Sequence, residues 1–251
     1  MSAGGKTPGV VNQSARHGIF QTSLMSALLD GVYDGEMSVA QLLEHGDFGL
    51  GTFNALDGEM VVLDGVCYQL HDGGRARIAD AKALTPFAVV TRFVPMHRVV
   101  LPADSSREQV AAIIGETISS ENYLYAIRVT GEFAWISTRT AARQQQPYPP
   151  LREATRNEPV IRFDDVQGII AGFRTPLYEL GIGVPGGHVH FIDNARGQGG
   201  HVLDYLCHRG TLEICLGSDL HLSLPLSDAF GRANLAPADL AEQVQQTENH
   251  R

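Results

Sequence analysis

The stretch GGHVHFIDNARGQGGHVLDYLC, residues 186–207, places three histidines in two apolar, strand-like runs on either side of a glycine-rich turn. In a β-strand, residues i and i+2 point to the same face, so His188 and His190 project together. The residues between the runs have the composition of a tight turn, which predicts a β-hairpin. His201 then follows the turn on the second strand.

The predicted register of this hairpin brings the three imidazoles together. If Ile192 pairs with Gly199 across the turn, His190 lies opposite His201, and directly opposed residues share a face. Three neutral nitrogens with an open fourth position are typical of a catalytic zinc site. Imidazole also suits iron, manganese or nickel, so the sequence pattern does not select the metal. A single histidine in a strand would more often be an ordinary packing or surface residue.

Outside the hairpin, the pattern predicts many short strands with interspersed short helices. Residues 19–31 read as a strand entering a helix, with Ser23 as the N-cap and Gly31 as the stop. Further helices are predicted at 38–44, 105–118 and 237–247, and a meander of strands follows residue 46 around two Asp-Gly turns. We read residues 123–139 as two strands joined at Thr130-Gly131. The fold class is therefore α+β, with two β-rich halves of mixed or antiparallel sheets.

The segment 140–159 is rich in proline and glutamine and has no periodicity, which is typical of a linker or an active-site flap. We place a domain boundary there. The predicted organisation is an N-terminal tail (1–17), a β-rich N-terminal domain (18–140) and a C-terminal domain (141–251). The C-terminal domain carries the histidines and ends in a helix and tail.

Composition excludes several classes of function. The net charge of −9 disfavours nucleic-acid and anionic-membrane partners. The sequence has neither an apolar run long enough to span a membrane nor the order of a secretory signal, so we expect a cytoplasmic protein. The three cysteines suit reduced, buried thiols better than a disulfide framework. The glycines of GIGVPG (181–186) precede a strand rather than a helix, which argues against a dinucleotide-binding loop.

Three motifs carry a resemblance to a known family, through their sequences and their order along the chain. They are LLEHGDFGLGTFNALDGEM (42–60), STRTAARQQQPYPPL (137–151) and GGHVHFIDNARGQGGHVLDY (186–205). The sequence resembles α-acetolactate decarboxylase over residues 18–250. The resemblance implies a two-part α+β enzyme, a homodimer, that converts the small molecule 2-acetolactate to (R)-acetoin and carbon dioxide.

The resemblance also implies roles for individual residues. It implies zinc held by the three histidines, with the metal acting as an electron sink. It implies that Glu59 delivers a proton and that Arg139 stabilises the enolate. Thr52 corresponds to a substrate contact. A glutamate from the C-terminal tail also belongs to the family's site, and Glu248 is the nearest match, with Glu242 as the alternative.

Three other interpretations remain open from the residues alone. The same histidines and glutamate could activate water for hydrolysis. A non-catalytic binding module, including one associated with DNA, could use a related fold, although the acidity of the chain counts against DNA contact. A structural zinc site would call for converging cysteines, and the spacing of the cysteines does not predict that.

Overall fold

The structure is a computed structural model that describes residues 17–248, except for the side chains of Asp72 and Glu248. The predicted N-terminal tail therefore lies outside the described residues, apart from His17. The strands of the described chain, in order, are β1 Gly18–Thr22, β2 Met37–Ser38, β3 Phe48–Thr52, β4 Glu59–Leu63, β5 Val66–Leu70, β6 Ala76–Ile78, β7 Leu84–Thr85, β8 Ala88–Thr91, β9 His97–Val100, β10 Ser105–Ser106, β11 Leu124–Arg139, β12 Ile161–Thr175, β13 Gly186–Asp193, β14 Gly199–Gly217 and β15 Asp219–Ser223.

The α-helices are short; four lie between strands, and the last two follow β15. They are α1 Met25–Leu29, α2 Val39–His45, α3 Arg107–Thr117, α4 Leu151–Ala154, α5 Asp228–Arg232 and α6 Leu240–Glu248. Ser38 and Ser106 each form a capping box with a glutamine at the third helical position, which explains why α2 and α3 begin where the sequence predicts. Within residues 17–248, no helix is both long enough and apolar enough to cross a membrane.

Two large sheets form the body of the protein. The first has seven strands in the order β15-β1-β8-β3-β4-β5-β6, and its β1–β15 pair is parallel. The second has the order β10-β14-β11-β12-β13, with β9 also paired to β14. Because β13 pairs with the first residues of β14 as well as with β12, four strands close into a ring at that end. The predicted α+β class with mixed and antiparallel sheets is confirmed.

The two sheets share one hydrophobic core. Leu50 and Leu63 of the first sheet belong to the same buried cluster as Ala126, Phe173 and Ile192 of the second. Burial of this apolar surface is the main force that holds the sheets against each other. The contact fixes the position of β13, which carries two of the histidines, relative to β3 and β4.

The sheets do not divide the chain at residue 140. Strands β9 to β11 precede that point but belong to the second sheet, and β15 returns from the C-terminal part to pair with β1. The division into domains at residue 140 stays a prediction, and it differs from the division between the sheets.

The predicted turn at Thr130-Gly131 is wrong. Residues 124–139 form one continuous strand, β11, and Gly131 pairs with Gly168 on one side and Gly210 on the other. A Cβ atom at Gly131 would collide with the carbonyl oxygen of Arg209, so glycine allows a close approach between strands here.

The predicted N-cap of the first helix is also wrong. Leu24 occupies the cap position of α1, without a side-chain hydrogen bond. Ser23 instead has a positive φ of 62° and lies in the turn that joins β1 to the helix. The chain therefore changes direction before α1 through backbone conformation and not through a capping side chain.

Candidate metal centre and active site

The three histidines converge as the hairpin register predicts. His190 pairs with His201 and Ile192 pairs with Gly199 across the turn between β13 and β14. One nitrogen from each of His188, His190 and His201 lies within 4.8 Å of the others, which is close enough for the three to hold one metal ion. The alternation of the strand keeps His188 and His190 on one face.

The hydrogen bonding of His190 selects which of its nitrogens faces the cluster. Nδ1 lies 2.8 Å from the carbonyl oxygen of Met60 in β4, so Nδ1 carries the proton and donates it. Nε2 is buried and has no hydrogen-bond partner among residues 17–248. A backbone carbonyl on one nitrogen and an open lone pair on the other is the usual arrangement of a metal-ligating histidine. The residues present therefore fit a divalent cation.

The surroundings keep the imidazoles of His188 and His190 neutral. Burial, followed by the positive charge of Arg139, lowers the pKa of His188 to about 3. Burial also lowers the pKa of His190 to about 4, although the neighbouring Glu59 carboxylate acts in the opposite direction. Neutral imidazole is the form that ligates metal, so the site is prepared for a cation at neutral pH.

Glu59 lies at the start of β4, directly after the Asp57-Gly58 turn, as the sequence predicts. One carboxylate oxygen lies 3.7 Å from His190 Nε2. The other accepts a hydrogen bond of 3.3 Å from the backbone N–H of Ala141. The first residues of the 140–159 segment therefore fix the orientation of this carboxylate beside the histidines.

Arg139 is buried rather than solvated at the end of its strand. It pairs with His201 across β11 and β14, which places it in a row with His201 and His190 on three adjacent strands. Its Nη1 lies 3.2 Å from Glu158, and its Nη2 donates to the carbonyl oxygen of Thr247 in α6. The guanidinium is therefore held from two sides.

His188, His201, Glu59 and Arg139 line one cavity of about 50 Å³, which has room for a few water molecules or a small organic molecule. Thr52 lies in its wall, and the Thr52 hydroxyl donates to the carbonyl of Gly58 at 2.8 Å. The remaining walls are largely apolar and come from α1, β3 and α4. The other described residues of the lining are Met25, Leu28, Gly51, Leu56, Glu59, Phe87, Arg139, Ala141, Leu151, Thr155, Glu158, His188, His201 and Thr247.

The two candidate C-terminal glutamates have different outcomes. Glu248 ends α6, but its side chain lies outside the described part of the structure. Glu242 is exposed and accepts a hydrogen bond from Gln246 on the helix surface, so it does not line the cavity.

Sequence reasoning missed Glu158 and the Thr247 carbonyl as partners of Arg139. The flap interpretation of 140–159 was the one signal that could have indicated Glu158.

The fold and the site together define a class: β-rich α+β proteins with a candidate three-histidine metal centre, a carboxylate and a guanidinium at a small cavity. Comparison with known proteins agrees with this description. The model of the α-acetolactate decarboxylase family matches residues 19–237, which leaves α6 outside the match.

Individual relatives cover nearly the whole chain. α-Acetolactate decarboxylase of Klebsiella aerogenes is 46% identical over 239 residues, or 94% of this chain and 92% of the relative. The enzyme of Bacillus subtilis is 42% identical over 230 residues, covering 92% and 90% respectively. The crystal structure of α-acetolactate decarboxylase from Bacillus subtilis strain 168 superposes with a TM-score of 0.91 at 41% identity, covering 93% of this chain and 100% of that chain. The chain belongs to the α-acetolactate decarboxylase family, whose members are carboxy-lyases.

Proposed function

We propose that this decarboxylase depends on a divalent metal, with zinc as the expected ion, and converts 2-acetolactate to (R)-acetoin and carbon dioxide. The observation that carries the proposal is the cluster of His188, His190 and His201 at a cavity that also contains Glu59 and Arg139. Three nitrogen donors leave further positions open to a ligand, as catalytic zinc sites do.

The reaction needs a group that stabilises the electron pair of the carbon–carbon bond that breaks. Acetolactate has a ketone β to its carboxylate, and loss of carbon dioxide leaves an enediolate. When bound, a divalent cation supplies a Lewis acid for the negative charge that develops on the substrate oxygens. Burial holds His188 and His190 neutral for this purpose, and the hydrogen bond to Met60 orients His190.

Arg139 binds and stabilises negative charge. Its guanidinium cannot lose its proton, and its planar fork suits a carboxylate or an enolate oxygen. Because it lies in register with His201, it faces the same space as the histidine cluster. A fixed and buried positive group interacts more strongly with developing charge than it would in solution.

Glu59 delivers the proton that completes the reaction. Its hydrogen bond from Ala141 holds one oxygen, and the other lies beside His190, at the wall of the cavity. From this position the Glu59 carboxylate takes the proton of the substrate hydroxyl as carbon dioxide leaves, and it returns that proton to the carbon that lost carbon dioxide. The hydroxyl of the product then regains a proton from water. Because Glu59 approaches from one side, protonation on a fixed face gives one enantiomer of acetoin. Thr52 contributes a substrate contact from the adjacent position on β3, where it pairs with Glu59.

Metal removal tests the proposal directly. Protein treated with a chelator should lose acetoin formation and carbon dioxide release, and zinc should restore both. Elemental analysis of the same samples measures the bound metal, and chiral gas chromatography identifies the acetoin enantiomer. Full turnover by protein shown to be free of metal would contradict the proposed mechanism.

Three further expectations stay predictions. They are that the protein is a homodimer, that it acts in the cytoplasm, and that the C-terminal tail contributes a glutamate to the site. Sedimentation analysis of the purified protein tests the first, and fractionation of the native cells tests the second. A metal-affinity measurement on Glu248→Gln and Glu242→Gln, compared with the unaltered protein, tests the third.

A further inference from the structure

The cavity contains a buried ion pair between Arg139 and Glu158, and Glu158 has no role in the proposed reaction. Glu158 follows α4 in the 140–159 segment, and its carboxylate lies 3.2 Å from Nη1 of Arg139. The two side chains are only 5% and 7% exposed, respectively. Both residues line the same cavity as His188 and His201. The pair is therefore buried at the place where the substrate would bind.

The charges of the lining show why this pair matters for an anionic substrate. Among the described residues of the cavity wall, Arg139 is the positive side chain, and Glu59 and Glu158 are negative. A buried guanidinium without a charged partner is costly, and Glu158 compensates that charge when no substrate is present. A substrate carboxylate that approaches Arg139 must therefore compete with the charge of Glu158. Nη1 already faces Glu158 and Nη2 already donates to Thr247, and Nε is the nitrogen of this guanidinium that has no hydrogen-bond partner among the described residues.

We propose that Glu158 is a positioning residue that sets the affinity of the cavity for anions by competing with the substrate carboxylate for Arg139. The proposal rests on the substrate-binding role proposed above for Arg139. Glu158 weakens the binding of acetolactate by charge repulsion and by occupying the fork. Once carbon dioxide has left, the product is neutral and does not compete for Arg139, so Glu158 pairs with Nη1 again. The pair thereby favours exchange of a charged substrate for an uncharged product.

The variant that isolates charge from shape is Glu158→Gln. Glutamine has nearly the same size and retains an oxygen that can accept from Arg139, but it carries no negative charge. Glu153→Gln is the matched control, because it makes the same change of net charge on the exposed surface of α4, away from the cavity. Thermal unfolding and circular dichroism show whether each variant folds.

Two probes separate charge competition from a structural effect. Calorimetry on the metal-loaded proteins measures the binding of 2-hydroxy-2-methylpropanoate, an unreactive anion, and of acetoin, which is neutral. In Glu158→Gln we expect the anion to bind roughly tenfold more tightly, since two carboxylates no longer face each other in a low-dielectric cavity. Acetoin affinity should stay within twofold, the KM for acetolactate should fall, and Glu153→Gln should match the unaltered protein.

Two results would overturn the proposal. One is an anion affinity in Glu158→Gln that is unchanged or weaker, and the other is an equal change for both probes, which would indicate a purely structural role. Glu158→Ala is a second variant that also removes the charge, and it should show the same preference for the anion. Because the binding data do not require turnover, they decide this proposal even if metal removal contradicts the proposed mechanism.

Discussion

Replacement of Glu59 by glutamine tests the proposed proton delivery most directly. The change preserves the size of the side chain and the oxygen that accepts from Ala141 at 3.3 Å. It removes the group that can carry a proton and the negative charge that lies 3.7 Å from His190 Nε2. The three histidine nitrogens are untouched, so the variant should still bind metal.

The expected size of the effect follows from these contacts. A positioned general acid or base typically contributes ~10²–10⁴-fold to a rate, so kcat should fall by about that factor. Stability should change by less than roughly 1 kcal/mol, because the hydrogen bond from Ala141 is retained. A large kinetic effect without a large stability effect would locate the loss in chemistry rather than in folding.

The assay follows acetoin and carbon dioxide from acetolactate, with elemental analysis and thermal unfolding on the same preparation. Glu116→Gln serves as the matched control, because Glu116 is exposed on α3, in a helix that contributes no described residue to the cavity lining. If Glu59→Gln contained stoichiometric metal and turned over at the rate of the unaltered protein, another group would have to be the proton donor.

Three further predictions concern acid stability, the C-terminus and a distant ion pair. The pKa values of His188 and His190 are lowered to about 3 and about 4, while unfolded histidine titrates near 6.5, so the unfolded chain takes up more protons below that pH. Metal-free protein should therefore lose stability as the pH falls from about 6.5 towards 4, and the His190→Gln variant should lose less stability over the same range. Melting temperatures that fell equally steeply with pH in the two proteins would contradict this prediction. Deletion of residues 240–251 removes α6 and the Thr247 carbonyl that holds Arg139, so it should lower both the melting temperature and turnover, and an unaffected truncated enzyme would exclude the C-terminus from the site. Glu213 lies in the second sheet and accepts hydrogen bonds from Arg98 and Arg128, and only 6% of its side chain is exposed. The change Glu213→Gln should therefore lower the free energy of unfolding by roughly 1–3 kcal/mol in urea titrations. An unchanged urea midpoint would show that these two ion pairs do not stabilise the protein.

The histidine cluster could be predicted because its geometry is local. The alternation of a strand and the length of a turn fix the register of a hairpin, and the observed pairing of His190 with His201 follows from those two features. The starts of α2 and α3 were predictable for the same reason, since a capping box at Ser38 or Ser106 involves neighbouring residues.

The features that the sequence did not predict correctly involve contacts between residues distant in sequence. Thr130-Gly131 has the composition of a turn, but pairing with Gly168 and Gly210 extends the strand through it. The burial of Arg139 depends on Glu158 and on α6, which reach it from later parts of the chain. No local pattern encodes those approaches, so the sequence alone indicated a residue at a strand end but not its two partners.

The parallel pairing of β1 with β15 has a consequence for synthesis of the protein. Gly18–Thr22 leaves the ribosome early, whereas Asp219–Ser223, the neighbour on its outer side, is made near the end of translation. Until then the nascent chain carries an unpaired strand edge, which is a surface prone to join other chains. Premature termination before residue 219 leaves that edge permanently open, so such fragments should aggregate even when the three histidines, Glu59 and Arg139 have already been made.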